Sequence, residues 1–419
     1  MSHRSPVIDA YIIGAGPAGL ATAAALKARG LHGVVLDKSD AIGSSWRSQY
    51  DRLHLHTPRE LSGLPGMAIP KEMGRWVGRD DVVRYLELYA AHHDLDVRLR
   101  TAVQRVDRSD DGLGWALTLS DGSTLTAPYV VVATGFNHTP VEPDLPGLQD
   151  FSGEVVMSRA YRDGSPHVGK DVLVVGSGNT GTELAVDLVE HGAARVRLSV
   201  RTIPHILRRS AGPYAAQYTG ITVRRLPAAL VDRAAALMER ATTPDLTAYG
   251  LPRPDTGLLT RVERDNAIPV QDVGIIDAIR AGRVEPVAAL ASFDGGTVVL
   301  SDGSRLQPDV VVLATGYSQG LDPLIGHLGL LDGKGHPVTR AGASPRGARG
   351  LWFNGFTNPI SGMLREIAID SKKIALAMAL TKRRRIEELT STQPPEGVEG
   401  GSAAGATAVS IRGGTGHRG

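Results

Sequence analysis

Val7-Ile8-Asp9-Ala10-Tyr11-Ile12-Ile13-Gly14-Ala15-Gly16-Pro17-Ala18-Gly19 decides the architecture. The apolar run from Val7 to Ile13, broken by Asp9, stops at Gly14 and predicts a buried parallel strand. Leu20 to Arg29 is alanine-rich without a breaker, and Gly30 follows where a helix C-cap belongs. Val34-Val35-Leu36 predicts the next strand and completes a β–α–β unit. In such a unit Gly14 allows the tight turn, Gly16 lets a pyrophosphate reach the backbone, and Gly19 lets helix and strand pack closely. The helix N-terminus then faces the phosphates with unpaired N–H groups. Asp37 closes the second strand, 18 residues beyond Gly19, where an acid bonds a ribose hydroxyl.

The unit recurs. Val172 to Val175 predicts a strand, Gly176-Ser177-Gly178-Asn179-Thr180-Gly181 a second glycine turn, Glu183 to Glu190 a helix, and Val196 to Val200 a strand. Here the second strand leads to Arg201, with Arg208 and Arg209 nearby, and no acid stands where NADH binding wants one. An arginine there pairs with a 2′-phosphate and selects NADPH; the competing reading is an ordinary surface charge. Ser120-Asp121-Gly122-Ser123 and Ser301-Asp302-Gly303-Ser304 lie 181 positions apart. The strands that follow them end in Ala133-Thr134-Gly135 and Ala314-Thr315-Gly316, at the same offset. Each Asp-Gly predicts a hairpin, so the chain reads as two homologous α/β halves. Two nucleotide sites argue for a flavin beside a nicotinamide, FAD with NADPH, placed so that hydride passes between them.

Composition narrows the chemistry. The 419 residues suggest two or three domains, and 46 basic against 44 acidic residues leave a net charge of +2, so no global field calls for nucleic acid or a membrane. Glycine, at 50 residues, exceeds the usual share of ~7%. Cysteine is absent, which excludes a redox dithiol, a thiolate nucleophile and cysteine-ligated metal sites. Neither a signal peptide nor a membrane span is legible, and a cytoplasmic enzyme without a metal is expected. Electrons from a reduced flavin must therefore go to oxygen, to a small acceptor or to a partner protein.

From about Val7 to about Leu380 the chain resembles the class B flavin-containing monooxygenases, in particular their YUCCA-like branch. The resemblance is carried by the first glycine turn, Gly43-Ser44-Ser45-Trp46-Arg47, and Tyr50-Asp51-Arg52-Leu53-His54-Leu55-His56-Thr57-Pro58. Further along it is carried by Ala133-Thr134-Gly135, the second glycine turn, Leu313-Ala314-Thr315-Gly316-Tyr317, Gly350-Leu351-Trp352-Phe353 and Pro269 to Gly274. It implies an FAD domain with an inserted NADPH domain. NADPH would reduce FAD, O2 would add at flavin C4a, and the hydroperoxide would pass one oxygen to a small organic substrate. By similarity His56 or Thr57 borders the flavin edge, Asn179 the nicotinamide side, and Trp46 and Arg47 the cofactor; His56 also reads as an interior histidine.

The expected division is 1–150 for the first part of the FAD domain, 151–168 for a linker, 169–330 for the NADPH domain, 331–390 for the returning part and 391–419 for a disordered tail. The linker carries one departure: the family fingerprint of Phe, Gly, His and an aromatic has Met157 at its histidine position, with His138 and His167 as substitutes. N- or S-oxygenation and oxidative decarboxylation of a 2-oxo acid such as indole-3-pyruvate are the leading reactions. Baeyer–Villiger insertion, a reductase passing electrons to a partner, and a cofactor-binding protein without turnover stand beside them.

Overall fold

The computed structural model describes residues 7–339 and 342–391. Its first sheet has five parallel strands in the order Leu351–Phe353, Tyr129–Val132, Ala10–Ile13, Gly33–Leu36 and Asp96–Arg98. The central strands are apolar throughout because both faces are covered. On one face Ile12, Val35 and Val131 meet the Pro17–Lys27 and Arg79–His92 helices. On the other, Tyr11, Val34 and Val132 meet Trp115, Leu117 and Ile325. Each such fully buried side chain contributes about 1.5–3 kcal/mol.

A second parallel sheet runs Val284–Val287, Arg195–Ser199, Asp171–Val175, Val310–Leu313 and Glu154–Met157. The chain leaves the first sheet after Val132, builds the second, and rejoins the first at Leu351, so one α/β domain is inserted in the other. Buried Asn354 fastens the return, its amide donating toward Ala18 O, Thr22 Oγ1 and Ser371 Oγ. The two Asp-Gly hairpins share one turn: Asp121 Oδ1 accepts from the backbone and hydroxyl of Ser123, and Asp302 Oδ1 does the same for Ser304.

Several expectations need correction. Residues 151–168 are more than a linker, because Glu154–Met157 pairs with Val310–Leu313 as the edge of the second sheet. The return begins before 331, since Leu321, Leu324 and Ile325 already lie in the first domain's core. The two crossings between sheets are themselves paired, Thr139–Pro140 running antiparallel to Tyr317–Ser318. The first strand starts at Ala10, and buried Asp9 accepts from His32 N at 2.9 Å just before it. The last helix spans Met363–Ser391 and takes in the basic run Lys382-Arg383-Arg384-Arg385, where Arg383 pairs with Glu387 one turn on. The compact unit holding both sheets ends at Ala379, and the helix from Leu380 belongs to a second unit. Of the expected tail, Ser391 is the last helical residue and 392–419 lie outside the described residues. Among the described residues no helix is long and apolar enough to cross a membrane.

Candidate functional site

The two glycine turns repeat one steric solution. Gly14 and Gly176 take φ of +113° and +117°, and a Cβ there would lie 2.5 Å from Ala133 O and 2.3 Å from Ala314 O. A Cβ on Gly19 or Gly181 would lie 1.8 Å from the carbonyl oxygen of Gly14 or Gly176. Gly16 and Gly178 differ: no atom lies within 4 Å of the added carbon. They are the N-caps of the Pro17–Lys27 and Asn179–Glu190 helices, and neither helix has a side-chain cap. Bare backbone and open N–H groups therefore meet at both places, as a pyrophosphate requires.

Asp37 braces the first turn, accepting from Ala15 N at 2.6 Å and from Ser39 N at 2.8 Å. At the second turn Ser177 Oγ donates to Thr202 O, and the exposed side chains of Arg201 and Arg208 line the same space. Both turns, with Thr180 in the second, open on one cleft of about 2790 Å³. One ligand pocket takes ~300–1,000 Å³, so two dinucleotides and a third molecule fit. Thr134 Oγ1 is buried beside the first turn without a partner, whereas its counterpart Thr315 donates to Val141 O at 2.6 Å. An orphaned hydroxyl next to bare backbone fits a bound cofactor. Trp46 forms part of the wall, half-buried against the first core.

The segment after Trp46 enters the inserted domain. Tyr50, from the first domain, is buried in the second domain's core. Its hydroxyl donates to Glu183 Oε2 at 3.1 Å, and His56 Nε2 meets Glu183 Oε1 at 2.5 Å. Burial, with the Glu183 charge second, pushes the Tyr50 phenol well above its ordinary range. Arg52 adds an ion pair with Glu190 at 2.8 Å. Thr57 lines the cleft beside His56, its hydroxyl sharing a hydrogen bond with Ser62.

Some expected residues stand elsewhere or are otherwise engaged. Arg47 is absent from the cleft wall: it pairs with Glu87 and donates to Ile42 O, holding its own helix against the first domain. Asn179 lies on the cleft, but its side chain spans Pro269 O and Gln271 N, pinning the Val270–Asp272 strand beside the second turn. Met157 packs in the apolar cluster of Phe151, Leu173 and Phe293. Of its two substitutes, His138 reaches the cleft beside Lys38, while His167 is buried and stacks on Tyr161. Glu183 was not singled out in the sequence, although an acid one turn into a helix with a buried apolar face was the available signal.

A family model described as pyridine nucleotide-disulphide oxidoreductase matches residues 11–217. The chain is 37% identical to the indole-3-pyruvate monooxygenase YUCCA1 of Oryza sativa subsp. japonica over 363 residues, 84% of this chain and 87% of the relative. Its fold matches that of a flavin-containing monooxygenase from Stenotrophomonas maltophilia with a TM-score of 0.68 and 23% identity, covering 90% of this chain and 99% of the other. OTEMO, solved in complex with FAD and NADP, matches with a TM-score of 0.68 and 17% identity, over 91% of this chain and 86% of the other.

Proposed function

The chain belongs to the YUCCA-like flavin-dependent monooxygenases, enzymes of FAD and NADPH, and from that premise we propose that it oxidatively decarboxylates a 2-oxo acid such as indole-3-pyruvate. The overall change balances as R–CO–COOH + O2 + NADPH + H⁺ giving R–COOH + CO2 + NADP⁺ + H2O. The observation that carries the reading is the opening of both glycine turns on one cleft, with His56 and Thr57 on its wall and no thiol in the chain to take electrons instead. The names of the plant relatives support the choice of a 2-oxo acid.

In this reading the first turn holds FAD, with Gly16 against the pyrophosphate, Asp37 toward the ribose and Thr134 toward the buried part of the cofactor. The second holds NADPH, with Gly178 at its pyrophosphate and Arg201 at its 2′-phosphate. Once reduced, FAD supplies the activation of O2. The chain's own work is to align the coenzymes, to wall the reacting atoms from water with Trp46 and its neighbours, and to present a proton acceptor at His56.

The test is anaerobic reduction with NADPH followed by ¹⁸O2 and indole-3-pyruvate or phenylpyruvate. One ¹⁸O in the product carboxylate and one CO2 per NADPH are expected. Labelled N-oxide, sulfoxide or lactone from a competing amine, sulfide or ketone as the main product would overturn the substrate class, as would hydrogen peroxide alone. For the coenzyme, Arg201→Ala is expected to raise the KM for NADPH about tenfold while leaving NADH nearly unchanged, because a charge-assisted contact to phosphate is lost. Equal losses with both coenzymes would remove Arg201 from the phosphate site.

A further inference from the structure

Glu183 is a carboxylate almost wholly removed from water, its side chain 3% exposed. Such a group costs several kcal/mol to bury unless donors surround it. Its donors come from the other domain: the Tyr50 hydroxyl, and His56 through Nε2. The Arg209 guanidinium, stacked over Trp76 at 4.2 Å, adds a favourable field. A buried salt bridge is weak evidence for stability alone. The details here point to something more directed.

As a carboxylate, Glu183 can only accept, so the hydrogen of the 2.5 Å contact sits on His56 Nε2. That choice strips Nδ1 of its proton in the neutral ring. Nδ1 has no partner among the described residues, and the ring, one-fifth exposed, borders the cleft. Glu183 also rides on the Asn179–Glu190 helix, whose first N–H groups face the second glycine turn. One rigid element thus joins that turn to the orientation of His56.

We propose that Glu183 is the positioning residue of this site: it fixes the tautomer and direction of His56 so that Nδ1 faces the cleft as a proton acceptor. The role rests on the reading above in placing His56 beside the reacting atoms. It fits attack on a carbonyl carbon, where the proton leaving the attacking oxygen passes to Nδ1 and the resulting imidazolium is balanced by Glu183. Tyr50 serves the same carboxylate without touching the tautomer.

The experiment uses FAD-loaded protein with ¹⁵N-labelled histidine and long-range ¹H–¹⁵N spectra, the His56 ring being assigned by its loss in His56→Gln. An Nε2-protonated ring is expected in the unaltered protein and in Tyr50→Phe. Glu183→Gln is expected to give a mixture of tautomers and to lower kcat about tenfold, the loss of one charge-assisted bond, with KM for NADPH within about twofold. Should Glu183→Gln fail to accumulate, Glu183→Asp, which withdraws the carboxylate by one methylene, is read in the same way. An unchanged His56 spectrum in the Glu183 variant, or an unchanged kcat, would overturn the proposal. Because the spectra need no substrate, a different oxygenated product would sink the 2-oxo acid reading and leave the tautomer result standing.

Discussion

Gly19→Ala is expected to yield protein that emerges from purification nearly without colour. The added carbon would lie 1.8 Å from Gly14 O, a backbone atom that cannot swing aside as a side chain could. Relief requires the Pro17–Lys27 helix to retreat from the Ala10–Ile13 strand, and overpacking of this kind costs about 1–3 kcal/mol or more. The helix N-terminus moves with it, so the N–H groups that a pyrophosphate needs are misplaced. FAD retention, read from flavin absorbance per protein, is expected to fall at least tenfold. Full occupancy with unchanged thermal stability would show that the helix–strand contact does not set the turn.

Gly181→Ala is the same insult to the other half, with a different signature. Its Cβ would lie 1.8 Å from Gly176 O, while the first turn is untouched. The protein is expected to stay yellow, yet its anaerobic reduction by NADPH should slow at least tenfold. Gly178→Ala sharpens the comparison, because no atom lies within 4 Å of its added carbon and folding should be unaffected. A slowed reduction in Gly178→Ala then reports on ligand approach alone. A colourless Gly181→Ala protein would mean that the assignment of coenzymes to turns is reversed or shared.

The β–α–β units and their glycines are local features, and their physics is complete within about thirty residues. That is why the strands about Ile12 and Val174, both glycine turns and both hairpin turns are legible in the sequence, while the helices begin at Pro17 and Asn179, ahead of the expected Leu20 and Glu183. Glu154–Met157 is harder to read, because an edge strand has partly exposed side chains and a partner more than 150 residues away. Arg47 misleads since a motif match says nothing about which way a short helix turns; Glu87, four tenths of a hundred residues on, claims the guanidinium. Glu183 and His56 stand 127 positions apart, and the burial of Tyr50 in the second core, with the Arg52–Glu190 ion pair, brings them together. Periodicity marks Glu183 as facing inward, but it carries no information about what waits there.

The ribbon of Thr139–Pro140 and Tyr317–Ser318 has a mechanical consequence. A displacement of one passage is carried to the other, because Thr139 and Pro140 are paired with Ser318 and Tyr317 residue for residue. The halves are thereby tied at their crossings as well as through Tyr50 and His56, so the cleft is bordered by mutually braced chain and not by two independent strands.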